Sequence, residues 1–263
     1  MTSAEVARIG NALEAAAEAL LPFTPGSVAH VLKERGDPLT EADLAVDGLL
    51  RQMLPRPGEG WLSEETGDDR ERLSCARVWV VDPIDGTREF IDGVPEWCVS
   101  IGLVEDGIAV AGGILNPATG ETVLGGAGLG VTLNGEVVRS WPRRRGLAGA
   151  LVLASRSETQ RGEWECYTGA PFAVRQCGSV AYKLGLVAAG LADATWTLAP
   201  KSEWDVAAGA ALVRAAGGTV LHADGSEPEF NRPDPSLPNF LAGPPLLLEE
   251  LRAGWLAGSA GPR

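Results

Sequence analysis

Cysteine is scarce in this chain: Cys75, Cys98, Cys166 and Cys177 are the four in 263 residues, and none forms a C-x-x-C pair. No zinc or thiol-exchange motif is suggested, and the expectation is reduced, mostly buried thiols. Positive charge is also in short supply. Lysine and arginine number 22 against 35 aspartates and glutamates, a net charge of −13, the opposite of the basic footprint that holds a nucleic-acid backbone. A nucleic-acid polymer is therefore not the expected partner. A small anionic ligand stays open, because bound cations can reverse a local field. Histidine occurs only as His30 and His222, in no pattern that suggests a ligand set. A long uncharged apolar run is missing too. The first 23 residues, MTSAEVARIGNALEAAAEALLPF, lack a basic start and carry Glu5, Glu14 and Glu18 through their apolar pattern. They read as neither a signal peptide nor a membrane span, so a cytoplasmic location with no membrane partner is expected.

What is present is the composition of a globular protein, 45% hydrophobic and 22% charged, long enough for two compact halves that share a cleft. Val6, Ile9, Leu13, Ala16, Ala17, Leu20 and Leu21 recur at helical spacing until Pro22 and Pro25. A second helix should start at Thr40 and stop at Pro55. RVWVVD (77 to 82) reads as a strand that ends on an aspartate, and residues 97 to 133 read as an antiparallel meander. From about 148 the pattern changes to strands LVLAS, FAVRQ and ATWTL, with helices over 178 to 192 and 204 to 216, then GTVLHA, a proline-rich loop and a last strand and helix. The link WPRRRG (141 to 146) separates a first half, 1–143, from a second, 144–263.

The segment DPIDGT (82 to 87) gathers two carboxylates where the chain turns. Unneutralised, they would repel and resist ionisation in a dry site, so a cation is expected beside them. Gly86 lets the chain turn without a Cβ clash, and the amides around Gly86 and Thr87 can point at an anion. An ordinary Asp-rich turn is the plainer account of the hexapeptide alone. The spacing D-x-x-D-G-T is one residue longer than the D-x-D-G-T of the haloacid-dehalogenase phosphatases, and the EF-hand series is missing. Further carboxylates stand in Ser63-Glu64-Glu65-Thr66 and in Glu203-Trp204-Asp205. Each has a plain reading of its own, a solvated acidic turn for the first and a helix-dipole role for Asp205; their joint appearance weakens those readings.

With SEET near 64, VWVVDPIDGTREF at 78 to 90, GSVAYK at 178 to 183 and EWDVAAG at 203 to 209, the chain resembles the lithium-sensitive, magnesium-dependent inositol monophosphatase and bisphosphate nucleotidase superfamily over nearly its whole length. The resemblance implies an α+β fold, a layered α-β-α-β-α sandwich of the inositol monophosphatase and fructose-1,6-bisphosphatase type, with the site between the halves. It implies two or three Mg²⁺ ions: Glu64, Asp82 and the backbone carbonyl of Ile84 around the first, Asp82, Asp85 and Asp205 around the second, and Glu64 reaching a weaker third. Many relatives read Gly-Glu-Glu here, which leaves the choice between Glu64 and Glu65 open. Thr87, backed by Asp43, would orient the attacking water. Asp43 also fits a capping box begun by Thr40. Relatives include dimers and monomers, so a homodimer is open.

Within the superfamily, Arg88-Glu89-Phe90, GSVAYK and EFNRPDPSLPNFL (229 to 241) are closest to the 3'(2'),5'-bisphosphate nucleotidase, or CysQ-like, branch. The expected reaction is removal of the 3'-phosphate from 3'-phosphoadenosine 5'-phosphate, with inositol-1-monophosphatase as the alternative and fructose-1,6-bisphosphatase a more distant one. From another class, a non-catalytic scaffold that has kept the fold would lack one or more ligands. A second substrate phosphate needs donors away from the metals, and Lys183, Lys201, Gly178 and Ser179 are the candidates, together with Asp85, Gly86 and Thr87 at the reacting phosphate. Trp97, Trp164 and Trp196 are candidates for a nucleobase wall or for the core.

Overall fold

The structure, a computed structural model, describes residues 3–33, 36–139 and 146–256. All of the expected link but Gly146 lies outside the described residues. In chain order the helices are α1 (Ser3–Leu20), α2 (Glu41–Met53), α3 (Thr87–Asp92), α4 (Arg156–Gln160), α5 (Val180–Ala188), α6 (Glu203–Ala215) and α7 (Pro245–Leu251). Among the described residues no helix is long and apolar enough to cross a membrane.

The chain stacks into five layers. Helix α1 buries Ile9, Leu13, Ala16 and Leu20 of its predicted stripe, with Val6 and Ala17 partly buried and Leu21 exposed past the helix end, and with α2 covers one face of a seven-stranded sheet. In that sheet Glu59–Ser63 runs parallel to Arg77–Asp85, and five more strands continue as an antiparallel meander from Cys98–Glu105 to Glu136–Val137. Helices α5 and α6 form the middle layer. Beyond them lies a five-stranded sheet in the order Ala173–Cys177, Leu151–Ser155, Ala194–Thr197, Phe240–Gly243, Thr219–Leu221, its first three strands parallel and the last two added antiparallel. Helix α7 closes the outer face with Leu247, Leu248 and Leu251, against a cluster that contains Trp164 and Trp196.

Close approach in the middle layer requires small residues. A Cβ on Gly112 would lie 2.3 Å from the carbonyl oxygen of Ala208, and one on Gly209 would lie 2.2 Å from Leu184. The run Ala207, Ala208, Gly209, Ala210, Ala211 thus lets α6 rest against the seven-stranded sheet and against α5, with all five residues buried.

Two elements differ from expectation. The helix expected over 178 to 192 is shorter at both ends: Ser179, at φ +51, caps the start of α5 through the amide of Tyr182, and the chain turns away after Ala189 at Gly190, φ +73. The strand expected to end at Asp82 continues to Asp85. Asp82 pairs with Ser100 and Asp85 with Cys98, three steps against two, so one extra residue is bulged out around Pro83, which has no N–H for the ladder. In an unbroken strand, residues three apart point to opposite faces. The bulge cancels that, and both aspartates can serve one site.

Candidate active site

Three carboxylates meet on the floor of a cleft of about 810 Å³ that opens between the two sheets. Asp82 and Asp85 arrive from the bulged strand and Asp205 from the first turn of α6, and one oxygen of each lies within 4.8 Å of the others. Burial raises the pKa of Asp82 well above the usual carboxylate range, and the charges of Glu64, Asp85 and Asp205 push it further. Asp205 is raised for the same reason, by burial and then by Asp85 and Glu64. Asp85 is raised by burial, opposed by the N–H of Ala181 and the hydroxyl of Ser179, which both donate to its Oδ2. The cluster is an all-oxygen donor set with an excess of negative charge, able to coordinate a divalent metal ion.

Glu64 follows the strand Glu59–Ser63, its amide bonded to the Val81 carbonyl at 3.3 Å, and its side chain lines the cleft beside Asp82. Glu65 turns instead into the protein. Both glutamates accept from Lys33 at 2.7 Å, and Glu65, whose side chain is only 3% exposed, has its pKa raised by burial to about 7. Of the two acids left open by the sequence, Glu64 is the one that faces the cleft.

Asp43 makes the contacts that both of its expected roles call for. Its Oδ2 accepts from the Thr40 amide (2.8 Å) and hydroxyl (2.6 Å), closing the capping box of α2. Its Oδ1 is left for the Thr87 hydroxyl, 3.3 Å away. Thr87 also lies 3.0 Å from the Ile84 carbonyl, so one hydroxyl touches the expected carbonyl ligand and the buried acid together. Gly86, at φ +95, supplies the left-handed turn that starts α3. A Cβ there would meet the Glu96 carbonyl oxygen at 3.1 Å.

Gly178, Ser179 and Lys183 also line the cleft, and the donors of all three have partners within the protein. The Gly178 amide donates to Glu96 (2.8 Å) and the Ser179 hydroxyl to Asp85 (2.8 Å). The Lys183 ammonium, 3% exposed, donates to the carbonyl of Ser179 at 2.6 Å and lies 3.4 and 3.5 Å from those of Cys177 and Gly178. A tight turn aims three carbonyls at one point inside the protein, and the lysine one helical turn later fills it. Their donors are engaged in shaping the wall and holding Asp85. Lys183→Met is accordingly expected to cost about 3 kcal/mol in urea unfolding, since buried carbonyls lose a charged donor; unchanged stability with a raised KM would return the residue to the substrate. Lys201 does line the cleft, 3.3 Å from buried Glu158. Trp97 packs on Phe90 and Trp164 stacks on Trp196; none of the three lines the cleft.

Lys33, Arg156 and Arg161, which line the cleft, and Glu158, which pairs with Lys201, were not singled out from sequence; Arg88, also in the lining, entered only as part of Arg88-Glu89-Phe90. Arg88 pairs with Asp37 and Arg156 with Glu96. Isolated basic residues carry no local pattern, and only the fold gathers them.

Comparison with known proteins agrees with this geometry. A model of the inositol monophosphatase family matches residues 2–255. An inositol-1-monophosphatase of Mesorhizobium japonicum is 37% identical over 205 residues, 74% of this chain and 76% of the relative. Among solved structures, the extragenic suppressor protein suhB from Bartonella henselae superposes with a TM-score of 0.79 at 28% identity, over 96% of this chain and 98% of that one. CysQ from Bacteroides thetaiotaomicron, described as a bacterial member of the inositol monophosphatase family, gives 0.75 at 28% identity, over 92% and 97%.

Proposed function

The chain belongs to the inositol monophosphatase family, and from that premise we propose that it is a Mg²⁺-dependent phosphomonoesterase whose preferred substrate is an inositol monophosphate. The observation that carries the reading is the meeting of Asp82, Asp85 and Asp205 within 4.8 Å beside Glu64 and the Thr87–Asp43 contact. Glu64, Asp82 and the Ile84 carbonyl would hold one ion, and Asp82, Asp85 and Asp205 a second, with Glu64 reaching a third. Bound there, Mg²⁺ supplies the charge that lowers the pKa of water and draws electron density from the leaving oxygen. The protein's own part is orientation. Thr87, fixed between the Ile84 carbonyl and Asp43, presents its oxygen to the water that attacks, and Asp43 is anchored by Thr40 so that it cannot swing away. Lys201 keeps a positive charge near Asp85 and Asp205 and favours their ionised forms.

The ranking of substrates reverses the expectation from sequence. The Mesorhizobium relative is named for inositol-1-phosphate chemistry, and Lys183, one of the expected donors for a second phosphate, is turned inward. The bisphosphate nucleotide is kept as a second reading because Arg88, Arg156 and Arg161 line the mouth of the cleft, where a remote phosphate would lie. A panel of inositol 1-phosphate, 3'-phosphoadenosine 5'-phosphate and fructose 1,6-bisphosphate, assayed for phosphate release with Mg²⁺ and with Li⁺ added, decides between them. The expected result is the highest kcat/KM on inositol 1-phosphate. A higher value on the nucleotide would reverse the order again, and release from none would favour a scaffold.

A further inference from the structure

Helix α2 presents two acids one turn apart to the interior, and the proposed reaction uses only the first. Asp47, 7% exposed, accepts the Ser63 hydroxyl on Oδ1 and the Thr66 hydroxyl on Oδ2. These two donors bracket Glu64 and Glu65. Ser63 Oγ in turn lies 3.4 Å from the Glu65 amide. A single carboxylate therefore closes a loop of four residues from both ends.

That loop has little backbone support of its own. Glu64 stands past the end of its strand, where the bond to Val81 is the last of the ladder. Lys33 holds both glutamates but does not choose between them, since it lies 2.7 Å from each. What distinguishes them is the backbone between Ser63 and Thr66, which turns Glu64 to the cleft and Glu65 inward. We infer that Asp47 is a positioning residue for the metal centre: by fixing Ser63 and Thr66 it sets the direction of Glu64, and so the affinity of the ion that Glu64 helps to hold. The inference rests on the metal-site reading proposed above.

Hydrogen-bond partners behind metal ligands typically contribute about 10–100-fold to metal affinity. The test is Mg²⁺ titration by calorimetry, with thermal denaturation alongside, on wild type, Asp47→Ala, Asp47→Asn and the double variant Ser63→Ala/Thr66→Val. The alanine and double variants are expected to bind Mg²⁺ about tenfold more weakly, the lower end of that range. Asp47→Asn should stay close to wild type, because its amide accepts from one hydroxyl and donates to the other. Should Asp47→Ala fail to fold, the double variant, which leaves α2 untouched, carries the test. Unchanged Mg²⁺ affinity beside a lowered Tm would make the clamp purely structural and overturn the inference. An asparagine variant as weak as alanine would show that charge acts and overturn the hydrogen-bond account. If the wild type itself bound no Mg²⁺, the site reading would fail first and the inference with it, a result distinct from the other two.

Discussion

Asp82→Asn is expected to lower kcat by on the order of 10³-fold, the upper end of the loss when one charge-stabilising group is removed, and to raise the melting temperature measured in chelator. The two effects share a cause. Asp82 is 1% exposed, and burial together with Glu64, Asp85 and Asp205 makes its charge unwelcome. Removing it relieves repulsion in the chelated protein, whereas with Mg²⁺ it deletes the carboxylate proposed to touch both ions. A gain of about 2–4 °C corresponds to roughly 1 kcal/mol in a domain near this size. Sites built for catalysis commonly trade stability in this way. Activity and thermal denaturation on one preparation check it: a variant of normal kcat, or one that melts lower in chelator, would show that Asp82 is not the focus of the cluster.

In chelator, stability should fall as pH rises from about 5 to 8, and Mg²⁺ should restore most at the alkaline end. Burial raises the folded-state pKa of Asp82, Asp205, Asp85 and Glu64, neighbouring carboxylates add to it at Asp82, Asp205 and Glu64, and burial raises Glu65 to about 7. Unfolded, the same groups titrate near 4. Between those limits the native state binds more protons than the unfolded one, so the slope of stability against pH is negative. The stabilisation is complete below the unfolded pKa and lost as pH passes the folded values. Glu59 and Asp68 are shifted the other way, lowered on balance by their hydrogen bonds to Trp79, Arg8 and Arg72, and act only as pH drops below about 4. Mg²⁺ takes the place of the protons, and because it needs ionised ligands its stabilisation grows with pH. Melting curves at pH 5 and pH 8, each with chelator and with Mg²⁺, test this; a chelated protein that melts higher at pH 8 would contradict it.

Much of the fold was legible because its signals are local. The apolar stripe of α1, the turn glycines of the meander and the small-residue run of α6 each state their packing in a few consecutive residues. DPIDGT and EWDVAAG were legible as chemistry only together: each alone reads as an acidic turn or a helix start, and it is their joint appearance and the family resemblance that point to a shared site. The bulge was half legible: Pro83 interrupts the ladder in the sequence, but the loss of one register step requires the partner strand. What the donors of GSVAYK hold was not legible, for a physical reason. Whether a lysine ammonium reaches into a cleft or back onto carbonyls depends on where those carbonyls point, which Ser179 at φ +51 decides. Asp47 was overlooked although it lies four residues after Asp43, the spacing that places two acids on one helix face.

Helix α6 has consequences beyond packing. Its glycine and alanine flank is pressed against Gly112 of one sheet and Leu184 of α5 with no room for a methyl group, and Asp205 stands at its tip. The helix therefore behaves as a rigid lever whose fulcrum is deep in the core and whose working end is the cation cradle. Drift in the interior cannot be absorbed quietly there; enlarging a residue along the fulcrum would be felt as a displaced carboxylate. A larger residue at Gly112 or Gly209 would thus disturb the position of Asp205 as well as the packing.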